Sequence, residues 1–173
     1  MIIHTLGGKQ TDSYAAARYY LNQDRHHGQI VMHPSFEEIY DHLPAYVGDH
    51  LVVPAAFRNQ TGESWGDLHY RYLDQLDLAD SFITQLDPMV MAQRPASQAI
   101  AYSHAATASL LKSLLPPNVQ IKLAPSKVAA YQNFLRDGRY VMTSQKLIDP
   151  TIKDIQVLKK LPAKMLWSLY RII

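Results

Sequence analysis

The chain contains no cysteine among its 173 residues. That excludes a disulfide framework, a thiolate nucleophile and a cysteine-held metal. Long apolar runs are lacking too, and nothing approaches the ~20 consecutive apolar residues of a membrane-spanning helix. The first residues show no series of basic segment, apolar stretch and small-residue cleavage site, so a cytoplasmic protein without a membrane partner is the expectation. Charge of one sign is scarce: 17 Lys and Arg against 15 Asp and Glu leave a formal net charge of +2. No Lys/Arg block or basic stripe occurs, which argues against a nucleic-acid partner. Signature motifs are missing as well. There is no Gly-x-Gly-x-x-Gly, no Walker spacing, no Gly-x-Ser-x-Gly elbow and no His-x-x-x-His pair, so nucleotide, hydrolase and metal chemistry lack support.

What is present is a repeated local pattern. An opening strand, Met1–Thr5, stops at Leu6-Gly7-Gly8 and runs through Lys9-Gln10-Thr11-Asp12-Ser13 into the alanine-rich helix at Tyr14-Ala15-Ala16-Ala17. The pattern returns where Ile100–Tyr102 runs into Ser103-His104-Ala105, and where Val119–Ala124 runs into Pro125-Ser126-Lys127. Each is a short apolar strand, a Ser/Thr cap and a helix that begins with small residues. Such helix starts carry unpaired N–H groups and a positive dipole end, which attract anions. In open α/β sheets, ligands lie beyond the carboxyl ends of the strands, where these helices begin.

Periodicity fills in the rest. Helix is expected over Thr11–Gln23, from Ser35 with Glu38 at capping-box spacing, and over Trp65–Leu76. Strands are expected at Gln29–Met32 and His50–Val53, giving a parallel α/β sheet in the first half. Ser81–Met91 reads as extended. Ala99–Tyr102, His104–Leu115, Val119–Leu123, Ser126–Arg136 and Arg139–Met142 then alternate strand and helix. Residues 151–173 read as a returning strand and helix piece. One domain with two lobes is expected, lobe one being about residues 1–82 plus 151–173 and lobe two about 83–150.

The order of these signals resembles the catalytic domain of prephenate dehydratase, and in type the single-domain prephenate decarboxylases of bacilysin-type antibiotic biosynthesis. That family opens with Gly-Pro-x-Gly-Thr-Phe-Ser before an Ala-Ala helix. Gly7, Thr11 and Ser13 match it, while Gly8, Gln10 and Asp12 depart. A Ser-Phe-x-Glu/Asp helix is similar to Ser35-Phe36-Glu37-Glu38. Val52-Val53-Pro54 keeps the Val-Pro of a Val-Pro-Ile-Glu-Asn-Ser strand end, with Asn59 and Gln60 as the nearest polar replacements for its last residues. Ser103-His104-Ala105 is similar to a Ser-His-Pro motif, and Ser126–Ala130 to a small-residue helix start. The family's Thr-Arg-Phe is absent. Arg139-Tyr140-Val141-Met142-Thr143 has similar residue types in another order and an earlier place. The dehydratases' regulatory domain is unmatched, as in the single-domain decarboxylases.

The resemblance implies an α/β fold of the two-lobed periplasmic-binding-protein type II kind, with a ligand cleft between lobes. It implies a lyase acting on prephenate or a similar cyclic dicarboxylate, decarboxylation favoured over dehydration because Thr-Arg-Phe is missing. Neither reaction needs a metal or an organic cofactor; both need an oriented, desolvated carboxylate and one proton donor. Thr11, Ser13, Asn59, Gln60, Ser103 and Ser126 are the expected substrate contacts. His104, Arg139 and Thr143 are the expected catalytic groups, with His104 as acid or ionic partner. The partner is a small anionic carboxylate; a homodimer is compatible, with no residue to select its interface. A second reading stays open: a non-catalytic carboxylate-binding module of the same fold. Whether the chain is an enzyme turns on whether another group replaces Thr-Arg-Phe.

Overall fold

The computed structural model describes residues 1–23, 27–59 and 61–173. Apolar runs punctuated by Gly, Pro and Asn become strands, and runs with helical period become helices. In chain order these are β1 (Ile2–Leu6), α1 (Asp12–Gln23), β2 (Gln29–His33), α2 (Phe36–Asp41), β3 (His50–Pro54), α3 (Trp65–Arg71), β4 (Leu76–Gln85) and β5 (Met89–Gln93). There follow β6 (Ile100–His104), α4 (Ala108–Leu114), β7 (Gln120–Ala124), α5 (Lys127–Asp137), β8 (Tyr140–Ser144), β9 (Gln156–Leu161) and β10 (Lys164–Ile172). The chain divides into two units, Met1–Gln85 with Lys164–Ile173, and Leu86–Ala163.

The first unit is a five-stranded sheet in the order β2-β1-β3-β10-β4. β1 pairs in parallel with β2 and β3, and β10 runs antiparallel to both β3 and β4. β1 and β3 are buried at three successive residues each, the mark of strands covered on both faces. One face is covered by α2 and the turn after it. Phe36, Ile39, Tyr40 and Leu43 recur at helical spacing and pack on Leu51, Val53, Leu76, Tyr170 and Ile172. Ser13, Ala16, Ala17 and Leu21 are the buried positions of α1.

The second unit repeats the plan in the order β7-β6-β8-β5-β9. β6 pairs in parallel with β7 and β8, while β5 runs antiparallel to β8 and β9. Ala130, Tyr131 and Phe134 of α5 pack on Tyr102 and Val141. Leu111 of α4 joins Met91, Ala101 and Met142 in a separate cluster.

Four expectations change. The sheets are mixed rather than parallel. α3 ends at Arg71, and β4 starts at Leu76, because Leu76 pairs with Ile172 across the sheet. The segment read as helix from His104 starts as a 3-10 turn, Ala105–Thr107, before α4. Residues 151–173 contain no helix: β9 pairs with β5 in the second unit, and only β10 returns to the first. The helical alternative there fails because β10 pairs on both sides, with β3 and β4, and β9 pairs with β5, all partners distant in sequence. Among the described residues, no helix is long and apolar enough to cross a membrane.

Candidate functional site

Parallel strands in each unit end where a helix begins, and Thr11, Ser13, Ser103, His104, Ser126 and Thr143 lie at or just beyond those ends. In the first unit the β1–α1 loop turns at Gly7, whose φ of +85° places it in the left-handed region. A Cβ at Gly7 would stand 2.5 Å from the Thr11 Cγ2. The Thr11 hydroxyl lies 2.8 Å from the Gly8 carbonyl and 3.2 Å from that of Leu6, and accepts the Tyr14 N–H at 3.2 Å. It is therefore the cap of α1. Ser13 is buried on α1. The Gly7 N–H donates to the His33 carbonyl at 2.7 Å, tying this loop to the end of β2.

Asn59 lies between β3 and α3 and is occupied by its own loop. Its Oδ1 accepts the Glu63 N–H at 2.7 Å and the Thr61 hydroxyl at 2.8 Å, and its Nδ2 donates to the Glu63 carboxylate at 2.6 Å. Glu63 in turn pairs with Arg71. Hydrogen bonding to Arg71 first, and then to Asn59, holds the Glu63 carboxyl below its usual range. Gln60 lies outside the described residues. A concavity of about 370 Å³ in this unit is lined by Lys9, Tyr14, Arg18 and Asn22 among others, and by none of the expected site residues.

The second unit gathers more of the expected groups. Ser103 is fully buried near the end of β6. Its hydroxyl lies 2.8 Å from that of Thr107, and both approach the His104 carbonyl, at 3.0 and 3.2 Å. His104 Nδ1 accepts the Ala106 N–H at 3.3 Å, which puts the hydrogen of the neutral ring on Nε2. Burial lowers the His104 pKa, and the Lys127 cation lowers it further, so the ring is predominantly neutral at pH 7. Ser126 caps α5 by accepting the Ala129 N–H at 3.0 Å. Thr143, buried near the end of β8, donates to the Lys127 carbonyl at 3.0 Å. β6 and β8 pair at Ala101 with Tyr140 and at Tyr102 with Val141, so His104 and Thr143 both lie just beyond that pairing, toward the carboxyl ends of neighbouring parallel strands.

Ser103, His104, Ser126 and Thr143 are thus brought to one edge of one sheet. Arg139 is not. Its N–H donates to the Ile100 carbonyl at 2.8 Å, at the far end of β6. Four residues of strand, about 13 Å, separate that point from His104. The exposed guanidinium instead lies 5.7 Å from the centre of the Tyr140 ring. Lys127 was not an expected site residue, since a lysine in a first helical turn reads as an ordinary surface position. Its proximity to His104 emerges only from the β6–β7–α5 arrangement. Among the described residues, no group of three or more His, Asp or Glu could hold a metal ion.

No family model matches the sequence, and no curated protein matches it. Solved structures do. Prephenate dehydratase from Arthrobacter aurescens, in complex with L-Phe, is similar over 100% of this chain and 61% of that one, with 15% identity and a TM-score of 0.60. An ABC transporter from Parabacteroides distasonis is similar over 99% and 65%, with 12% identity and a TM-score of 0.63. The periplasmic VFT2 domain of Bordetella pertussis BvgS is similar over 99% and 80%, with 12% identity and a TM-score of 0.54. The fold is that of the type II periplasmic binding proteins. At these identities the likeness shows fold alone, and the chain spans about three fifths of that dehydratase. Bacilysin-type specificity receives no support from these similarities.

Proposed function

We propose that this chain is a cofactor-independent lyase acting on prephenate or a similar cyclic dicarboxylate, with decarboxylation favoured over dehydration. The observation that carries the reading is the sheet edge of the second unit. There a mostly neutral His104 stands near the Lys127 cation, among Ser103, Thr107, Ser126 and Thr143. The dehydratase fold match and the sequence order of Gly7, Thr11, Ser13 and Ser103-His104 support the substrate class.

In this scheme Lys127 and the dipole of α5 hold a substrate carboxylate. The bond from the ring carbon to the departing carboxylate breaks and carbon dioxide leaves. The electron pair moves through the ring diene, and the terminal ring carbon takes a proton from His104. The ring hydroxyl is retained. His104 regains its proton from water. Because burial and Lys127 lower its pKa, the imidazolium is scarce at neutral pH and a strong acid when formed. Turnover is therefore expected to rise as pH falls from neutral toward the lowered pKa of His104.

Steady-state kinetics with prephenate test this. His104→Gln is expected to lower kcat about 100-fold or more and to abolish the acid-side rise. Lys127→Met is expected to raise KM. Wild-type kinetics in both variants would overturn the assignment. The binding-module reading has one observation in its favour: Thr11, Asn59 and Ser126 spend hydrogen bonds on their own loops and caps, and Thr143 spends its own on the Lys127 carbonyl of α5. Its outcome would be thermal stabilisation by prephenate with no product.

A further inference from the structure

A chain of four titratable groups runs through the first unit, and none of them has a role in the scheme above. His4 on β1 is 3% exposed and His33, the last residue of β2, is 7% exposed. His4 Nδ1 and His33 Nε2 lie 2.8 Å apart. The far nitrogen of His4, Nε2, lies 3.1 Å from Oδ2 of Asp49, just before β3. The far nitrogen of His33, Nδ1, lies 3.5 Å from Oε1 of Glu38 in α2. Tyr46 stacks on His4 with ring centroids 4.1 Å apart and is tilted against His33 at 5.6 Å. His42, at the end of α2, acts on His33 by its charge.

Counting hydrogens decides what this chain can do. It has three contacts: Asp49 to His4, His4 to His33, and His33 to Glu38. Each needs one hydrogen. Two neutral imidazoles supply two, and ionised carboxylates supply none. One contact is therefore short. The separations of 3.1 and 2.8 Å are ordinary hydrogen-bond distances and 3.5 Å is the longest and weakest of the three, so the deficit sits between His33 and Glu38. A third hydrogen, on His33 Nδ1, would complete the chain. A fourth has no place, because two N–H groups would face each other across 2.8 Å.

We infer that His4 and His33 form a single-proton switch. The pair takes up one proton and not two as pH falls from neutral, and the new N–H on His33 draws the Glu38 carboxylate into a charge-assisted hydrogen bond. The element that responds is the β2–α2 junction. The Glu38 N–H is held by the Ser35 hydroxyl at 3.1 Å, and the His33 carbonyl holds the Gly7 N–H at 2.7 Å. Protonation therefore acts where β1 and β2 hand over to their helices. Burial of His33 opposes uptake more than the Glu38 contact favours it, so the transition falls on the acid side of the ordinary histidine value. The inference stands independently of the lyase reading.

The test is an NMR titration of the histidine ring nitrogens in the full chain from pH 8 to pH 5. The pair is expected to take up one proton in one transition, read as a hydrogen gained at His33 Nδ1 while the His4 hydrogen stays on Nε2. Glu38→Gln, a substitution at a partly exposed position, is expected to keep the single transition while shifting its midpoint down by roughly one pH unit. Separate one-proton transitions for each ring would overturn the proposal. So would a pair that stays neutral throughout, or a midpoint unmoved by Glu38→Gln.

Discussion

Thr11 closes the β1–α1 loop with one hydroxyl that both donates to the Gly8 carbonyl and accepts from Tyr14. Thr11→Val keeps the shape and removes both bonds, and is expected to cost about 1 kcal/mol of stability, the usual worth of a helix cap, as measured by urea unfolding. Thr143 makes a comparable contact inside the second unit. Thr143→Val leaves the Lys127 carbonyl without that donor and is expected to cost about 1–2 kcal/mol. Because it also releases the start of α5, where Lys127 sits, it is expected to raise KM for prephenate along with the stability loss. Arg139 provides the contrast. It lies at the opposite end of the strands from His104, so Arg139→Ala is expected to leave kcat and KM unchanged in the same assay.

At the scale of elements, β10 is the piece on which the first unit depends. It lies between β3 and β4, and it contributes the buried Trp167, Leu169, Tyr170 and Ile172. Trp167 Nε1 also donates to the Thr84 hydroxyl on β4 at 2.8 Å. Deleting residues 164–173 would unpair β4 and uncover the Leu51, Val53 and Leu76 cluster. The shortened chain is expected to lose the cooperative thermal transition of the first unit; a transition of unchanged amplitude would contradict this role. That dependence was not legible in the sequence. Short apolar runs between lysines at 156–172 fit helix or strand equally, and the choice is made by β5, β3 and β4, which lie far along the chain. The starts of α1, α2 and α5 were legible, because a cap is local chemistry: Thr11, Ser35 and Ser126 each bond within three residues. The end of α3 is not legible, because Leu73 and Leu76 keep helical period while β4 claims Leu76 by pairing. In the site, the hydroxyls at strand ends could be read from the repeated pattern. Lys127 beside His104 and the His4–His33 contact, 29 residues apart, needed the sheet register to appear.

At the scale of the molecule, the two units share one strand plan, and each presents capped helix starts at the ends of its parallel strands. Each also carries a histidine with a lowered pKa, His33 in one and His104 in the other, with burial the first cause in both. In the unfolded chain both rings bind protons from about pH 6.5 downward, whereas the folded chain binds them only at lower pH. Through that window the unfolded state holds more protons, so stability is expected to fall as pH drops and to level off below both folded values. Urea unfolding from pH 7.5 to pH 5 measures this slope, and His104→Gln is expected to reduce it. The central claim, that the second unit's sheet edge belongs to a lyase, is tested most directly by product identity. Purified protein is incubated with prephenate at mildly acidic and neutral pH, and the products are read by mass and ultraviolet spectra. The account predicts a non-aromatic product that has lost carbon dioxide and kept its hydroxyl; prephenate recovered unchanged beyond its spontaneous decay would contradict it.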